Sequence, residues 1–144
     1  MTLPPRRILA IDYGEARTGL AATDWTGTIA VPLGRIDARD QDTLVAAIAA
    51  TVRERETELV VLGMPLSQDG THGPRAKRTE ALRERLAAAL PCPVTTIDES
   101  HSTDEAHERL KGGGLKASRR KQLADSVAAL VILERYRSGQ PGRG

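Results

Sequence analysis

Acidic residues stand at three places in this sequence where an isolated charge would be costly. Asp12 directly follows the apolar run 8–11, the pair Asp98-Glu99 closes the β-forming stretch 94–97, and Asp125 lies in a helical segment that is apolar on nearly every side. A carboxylate that loses its water needs a cation, a network of donors or a raised pKa. We therefore expect these acids to share a partner, and a cation is the partner that suits them best.

Carboxylate oxygens of this kind are typical ligands of Mg²⁺ or Mn²⁺, and a metal so held can support cleavage of a phosphodiester bond. Because side chains alternate along a strand, only one of Asp98 and Glu99 can point toward a given site. Asp12 could instead simply cap a turn. The spacing of Asp12 and Gly14 also suits the phosphate loop of an actin-like ATPase, although 144 residues leave no room for a second lobe.

A basic cluster precedes the segment that carries Asp125. It consists of Lys116, Arg119, Arg120 and Lys121, in a stretch without any acid. Cations in the first turn of a helix are disfavoured by the helix dipole, unless an anion binds across that helix start. The cluster therefore predicts a phosphate-binding surface, and a merely solvated run of charges is the alternative.

The length and overall composition of the chain restrict the classes of protein to which it can belong. The chain has 144 residues, 40% of them hydrophobic, with a net charge of +2 and a single cysteine, Cys92. This predicts one domain over 1–137 with a flexible tail over 138–144, a cytoplasmic location and no membrane partner. Aromatic residues make up only 2% of the chain, so we expect a nucleic acid to be held by its phosphates rather than by base stacking.

Hydrophobic periodicity predicts an α/β fold: a mixed five-stranded sheet with helices on both faces. The expected strands are 7–13, 18–24, 28–33, 58–63 and 94–97, and the expected helices are 42–55, 75–90, 102–110 and 118–136.

Four stretches together resemble the YqgF family of RuvC-like, ribonuclease H-fold nucleases, also called pre-16S ribosomal RNA nucleases. They are ILAIDYGEARTGLA, VVLGMPLSQDGTHGPRA, TTIDESHSTDEA and RRKQLADSVAALVILERY, and they span about 8–136. The resemblance implies a ribonuclease H-like fold. It also implies that Asp12, Glu99 and Asp125 are the catalytic and metal-binding acids.

The same resemblance implies a substrate groove near these acids. We expect Gly14, Arg17, Gly63 and Pro65 to line it, together with the basic cluster. The sequence departs from the family at Ser100-His101, where the family more often has an arginine and an apolar residue.

The expected function is that of a metal-dependent nuclease acting on structured RNA, in maturation of the 16S ribosomal RNA precursor. One alternative is resolution of Holliday junctions, a branched DNA substrate that requires two symmetry-related active sites and hence a homodimer. Another is a non-catalytic RNA-binding or transcription-associated factor.

Overall fold

The computed structural model of the chain describes residues 5–65, 73–99 and 117–139. Its elements are β1 Ile8–Asp12, β2 Arg17–Thr23, β3 Ala30–Asp37, α1 Gln41–Arg55, β4 Leu59–Met64, α2 Pro74–Ala89, β5 Val94–Asp98 and α3 Ala117–Ser138. The expected helix 102–110 lies outside the described residues. Except at β3, the expected boundaries agree with these bounds to within two residues.

The five strands form one sheet in the order β3-β2-β1-β4-β5. The first three strands pair antiparallel, with Asp12 opposite Gly19, whereas β4 and β5 run parallel to β1. The carboxyl ends of β1, β4 and β5 therefore meet at the same edge of the sheet. The mixed five-stranded sheet predicted from the sequence is confirmed.

Helices cover both faces of this sheet. On one face, α1 and α2 pack on large aliphatic side chains such as Leu9, Ile11 and Leu62, which are fully buried. On the other face, α3 packs through Ile132 and Leu133 on a smaller core, formed by Ile8, Ala10, Leu59 and Val61. The alternation of side chains along β1 places Asp12 on the α3 face, in line with Ile8 and Ala10.

Strand β3 extends to Asp37, so the expected end near residue 33 is wrong. Pro32 does not end the strand because β3 is at the edge of the sheet, where a missing N–H leaves no ladder bond unmade. A bulge follows, with a register shift between Leu20 and Ala21 and a left-handed backbone at Gly34, whose φ is 95°. The strand then resumes its pairing with β2.

Helix α2 begins differently from α1. Asp40 caps α1 by accepting a hydrogen bond from the Thr43 N–H, whereas α2 begins at Gly73-Pro74 without a side-chain cap.

No helix in the described part of the chain is long and apolar enough to cross a membrane. The division into a domain over 1–137 and a tail stays a prediction.

Candidate active site

The carboxyl ends of the parallel strands bring two acidic side chains together. Asp12 is the last residue of β1, and Glu99 directly follows β5, where its N–H donates to the Met64 carbonyl oxygen at 3.2 Å. Between them on β4 lies Gly63. A Cβ at that position would be 2.7 Å from Glu99 Oε2, so the glycine leaves the space that the Glu99 carboxyl group occupies.

Both side chains are buried, with Asp12 7% and Glu99 5% exposed. Apart from each other, Asp12 Oδ1 and both carboxyl oxygens of Glu99 have no hydrogen-bond partner among the described residues. Burial, reinforced by a hydrogen bond to Asp12 and by its negative charge, raises the pKa of Glu99 to about 9. Burial also raises the pKa of Asp12, although the Glu99 hydrogen bond and Arg75 oppose this. A raised pKa of this size favours retention of a proton by the pair at neutral pH when no metal is bound.

One cation approaches this pair, and the sequence interpretation missed it. Arg75 Nη2 is 3.6 Å from Glu99 Oε1 and 4.0 Å from Asp12 Oδ1, and it donates to the Tyr13 carbonyl oxygen at 3.3 Å. Arg75 is in the first turn of α2, where the helix dipole disfavours a cation. The reasoning applied to the basic cluster of α3 could have identified it.

The third acid lies on the same face but has other neighbours. Asp125 Oδ2 is 3.8 Å from Arg17 Nε and 3.6 Å from Arg35 Nη1. Its negative charge contributes to the raised pKa of Asp12, which places it within electrostatic range of the pair. A Cβ at Gly19 would overlap the Asp125 carbonyl group, so that glycine allows α3 to lie directly against β2.

Ser126 fixes α3 at this point. Its hydroxyl accepts from the Gly34 N–H at 2.9 Å and donates to the Leu20 carbonyl oxygen at 3.0 Å. Both backbone groups belong to the bulge, where the regular ladder is interrupted. Ser126 thereby satisfies the irregular backbone and sets the height of the neighbouring Asp125 above the sheet.

The structure thus places the Asp12 and Glu99 side chains together. Asp125 lies beside them and is paired with arginines. Within 5–65, 73–99 and 117–139, no three acidic, histidine or cysteine side chains form a ready metal-binding group. The assignment of Asp12, Glu99 and Asp125 as catalytic acids remains a prediction.

The other expected site residues are distributed around this centre. The Arg17 side chain is about half exposed beside Asp125, and Gly14 precedes it in a turn where a Cβ would overlap the Arg17 carbonyl oxygen. Gly63 is buried beneath Glu99, and Pro65 is half-buried just after β4. Lys116 and the side chains of Arg119, Arg120 and Lys121 lie outside the described part. Arg35, on β3, is a further cation that the sequence interpretation missed.

Comparison with known proteins shows which family this chain is similar to. The sequence profile of RuvX, described as a Holliday junction resolvase, matches residues 6–138. A protein of Chloroflexus aggregans named "Putative pre-16S rRNA nuclease" is 40% identical over 90% of this chain and 91% of its own length. One of Synechococcus elongatus with the same name is 40% identical over 93% of this chain and 90% of its own length.

A solved structure shares the fold. The RuvC structure of Thermus thermophilus superposes with a TM-score of 0.60 over 92% of this chain and 96% of that one, at 17% identity. This similarity confirms the ribonuclease H-like, RuvC-like fold expected from the sequence. With the profile covering 6–138 and relatives at 40% identity, the chain belongs to the RuvX (YqgF) family, and the expected enzyme class, a nuclease, is confirmed.

Proposed function

We propose that this protein is a divalent-metal-dependent nuclease that cleaves structured RNA in maturation of the 16S ribosomal RNA precursor. The observation that carries the proposal is the Asp12–Glu99 pair. These are two buried carboxyl groups, side by side, with no hydrogen-bond partner among the described residues except each other. Burying such groups without a partner costs several kcal/mol, and enzymes tolerate that cost where the groups are used.

The donor chemistry fits Mg²⁺ or Mn²⁺. Asp12 Oδ1, both Glu99 oxygens and Asp125 Oδ2 are buried oxygen atoms that no group other than these acids supplies with a hydrogen bond among the described residues. Hard divalent cations prefer such oxygen ligands and retain several waters. Asp12 and Glu99 would hold the ion directly, and Asp125 is near enough to contribute to its charge balance. When bound, such an ion supplies a nucleophile at neutral pH and stabilises the charge on the phosphate.

The surrounding side chains organise the site for this chemistry. Strand ends at the carboxyl edge of the sheet fix Asp12 and Glu99, and Ser126 holds the helix that carries Asp125. Arg17 and Arg35 neutralise Asp125. The Arg17 side chain stays about half exposed, and that of Arg35, which also pairs with Asp37 at 3.3 Å, about one third exposed. Their guanidinium groups can therefore orient substrate phosphates on the β3 side of the acids.

RNA is the favoured substrate because relatives at 40% identity carry the name of an rRNA nuclease. The description of the family as a Holliday junction resolvase supports branched DNA as the second candidate. Resolution of a four-way junction requires two symmetry-related sites, so this candidate implies a homodimer.

The single Cys92, which cannot form an internal disulfide, is consistent with our placement of the protein in the cytoplasm.

The test is a cleavage assay with Mn²⁺ or Mg²⁺ on matched substrates: a pre-16S RNA fragment, an unrelated structured RNA and a four-way DNA junction. We expect the RNA precursor to be cleaved fastest, and expect Asp12→Asn to be inactive on every substrate. Preferential cleavage of the junction by a dimer, measured with light scattering, would establish the resolvase instead. Absence of cleavage of all three substrates with either metal would refute a nuclease function.

A further inference from the structure

The guanidinium group of Arg75 lies near the buried acids without being bound tightly to them. Its distances to Glu99 and Asp12, 3.6 and 4.0 Å, exceed the roughly 2.7–2.9 Å of a charge-assisted hydrogen bond. Its anchor is the Tyr13 carbonyl oxygen at 3.3 Å. The Arg75 side chain is 55% exposed, although the acids that it faces are buried. Much of its hydrogen-bonding capacity is therefore directed toward solvent above the site.

The start of α2, which carries Arg75, has the electrostatics of an anion-binding site. The helix begins without a side-chain cap and has no acidic residue in its first turn. That turn contains Arg75 and Lys77, and Arg78 follows in the next turn, where it forms an ion pair with Glu15 at 2.8 Å. Cations there oppose the helix dipole, whereas a phosphate would interact favourably with both the dipole and the side chains.

We infer that Arg75 is a catalytic residue that binds the scissile phosphate, with the first turn of α2 forming the binding surface around it. This inference rests on the proposed nuclease function. In the metal-free protein, the guanidinium group offsets the charge that Asp12 and Glu99 would carry. Once a divalent cation neutralises those carboxylates, Arg75 loses its attraction to them. Its planar, multiply donating group is then available to the non-bridging phosphate oxygens.

A purely structural role of Arg75 predicts different results from a role in phosphate binding. If Arg75 only neutralised the acids, its loss would alter the stability of the metal-free protein, and a bound metal would make it dispensable. If it binds the phosphate, its loss would slow cleavage at saturating metal and weaken substrate binding, with metal binding intact. Rate and metal binding must therefore be measured on the same variants.

The variants are Arg75→Ala, Arg75→Lys and, as a matched control, Arg83→Ala. Arg83 is on the same helix, about 12 Å further along it, and pairs with Glu80 rather than with the site. At saturating Mn²⁺ we expect the single-turnover rate of Arg75→Ala to fall by about 10²- to 10³-fold. Arg75→Lys should be intermediate because it retains charge but loses the planar fork. Arg83→Ala should retain the wild-type rate.

Three further measurements separate the two roles of Arg75. The Mn²⁺-induced rise in melting temperature should persist in Arg75→Ala. The affinity of that variant for the uncleaved RNA, measured in Ca²⁺, should fall by about tenfold, the scale of one charged hydrogen bond. Added guanidinium ion, at concentrations too low to unfold the protein, should partly restore cleavage by Arg75→Ala but not by Asp12→Asn.

The inference is overturned if Arg75→Ala cleaves and binds like wild type, or if it loses rate only together with its Mn²⁺ response. A wild-type protein that cleaves none of the substrates would instead refute the proposed function. In that case the Ca²⁺ binding measurement still decides the role of Arg75 in phosphate binding, because equal RNA affinity of wild type and Arg75→Ala would overturn it.

Discussion

Ile11 and Asp12 are neighbours on β1, as are Leu62 and Gly63 on β4, yet the two members of each pair face different sides of the sheet. Ile11 and Leu62 point to α1 and α2 and are fully buried among aliphatic side chains. Asp12 and Gly63 point to α3, where one is a buried carboxyl group and the other leaves space for a second.

The two faces of a single strand therefore have different roles: one stabilises the fold, and the other carries the candidate active site. The face toward α1 and α2 gains free energy from close packing of large apolar groups. On the face toward α3, the carboxyl edge of the sheet combines Gly63 with buried acids that have no hydrogen-bond partner but each other among the described residues, an arrangement that costs free energy. Substitutions on the two faces should therefore be distinguishable by what they damage.

The largest effect is expected from Asp12→Asn. Removing the charge that would hold the metal should slow cleavage by about 10³-fold or more, equivalent to several kcal/mol of transition-state stabilisation. The free energy of unfolding in EDTA should stay equal or rise, because one buried charge is lost. Single-turnover cleavage and urea unfolding measure the two quantities. A variant that is inactive because it is unfolded would contradict the division between the faces.

Leu62→Ala tests the opposite face. The truncation leaves a cavity in the core under α1 and α2 and should lower the free energy of unfolding by about 2–5 kcal/mol. The rise in melting temperature on adding Mn²⁺ should match that of wild type, because no group at the site has changed. A diminished Mn²⁺ response would show that the two faces are coupled.

Gly63→Ala lies one position further along β4. It adds a methyl group, whereas Leu62→Ala removes part of a side chain. Its Cβ would lie 2.6 Å from Ile132 Cδ1 and 2.7 Å from Glu99 Oε2. The overlap should cost about 1–3 kcal/mol and displace Glu99, so the Mn²⁺ response should also weaken. Gly73→Ala is the control, since a Cβ there meets no atom of the described residues within 4 Å. An undisturbed Mn²⁺ affinity in Gly63→Ala would argue against Glu99 as a ligand.

The last expected effect is a gradual dependence of stability on pH. Glu99 has a pKa of about 9 in the folded protein and an ordinary value of 4.5, so the folded state retains a proton that the unfolded state releases. Between these values, the free energy of unfolding in EDTA should decrease with rising pH by up to about 1.4 kcal/mol per unit. Urea unfolding at pH 6, 7 and 8 should show this decrease in wild type and a flatter profile in Glu99→Gln. Equal slopes would contradict a shared proton.

Much of the site is predictable from local sequence. The apolar run before Asp12 requires a buried strand, and Gly19 in the next strand indicates a close approach, which is made by the backbone of α3 at Asp125. Alternation along β5 separates Asp98 from Glu99, but periodicity alone does not say which of them faces the site. The family resemblance selects Glu99, and the structure places it beside Asp12.

What local sequence does not predict depends on contacts between distant segments. Arg75 and Tyr13 are 62 positions apart, and only the packing of α2 against the sheet brings them together. The pairing of Arg35 with Asp125 likewise depends on the bulge in β3, which shifts the strand register. The sequence predicts a cation shared with the other acids as the partner of Asp125, whereas its neighbours in the structure are Arg17 and Arg35.

The bulge in β3 has a further consequence for how the protein behaves in a crowded solution. An exposed edge strand presents unpaired backbone groups that can recruit a strand from another molecule. In β3, Pro32 lacks an N–H, and the Gly34 N–H is already bonded to Ser126. The edge is thus a poor template for intermolecular β-pairing. The same serine that positions the helix beside the acids also removes one N–H donor from this edge.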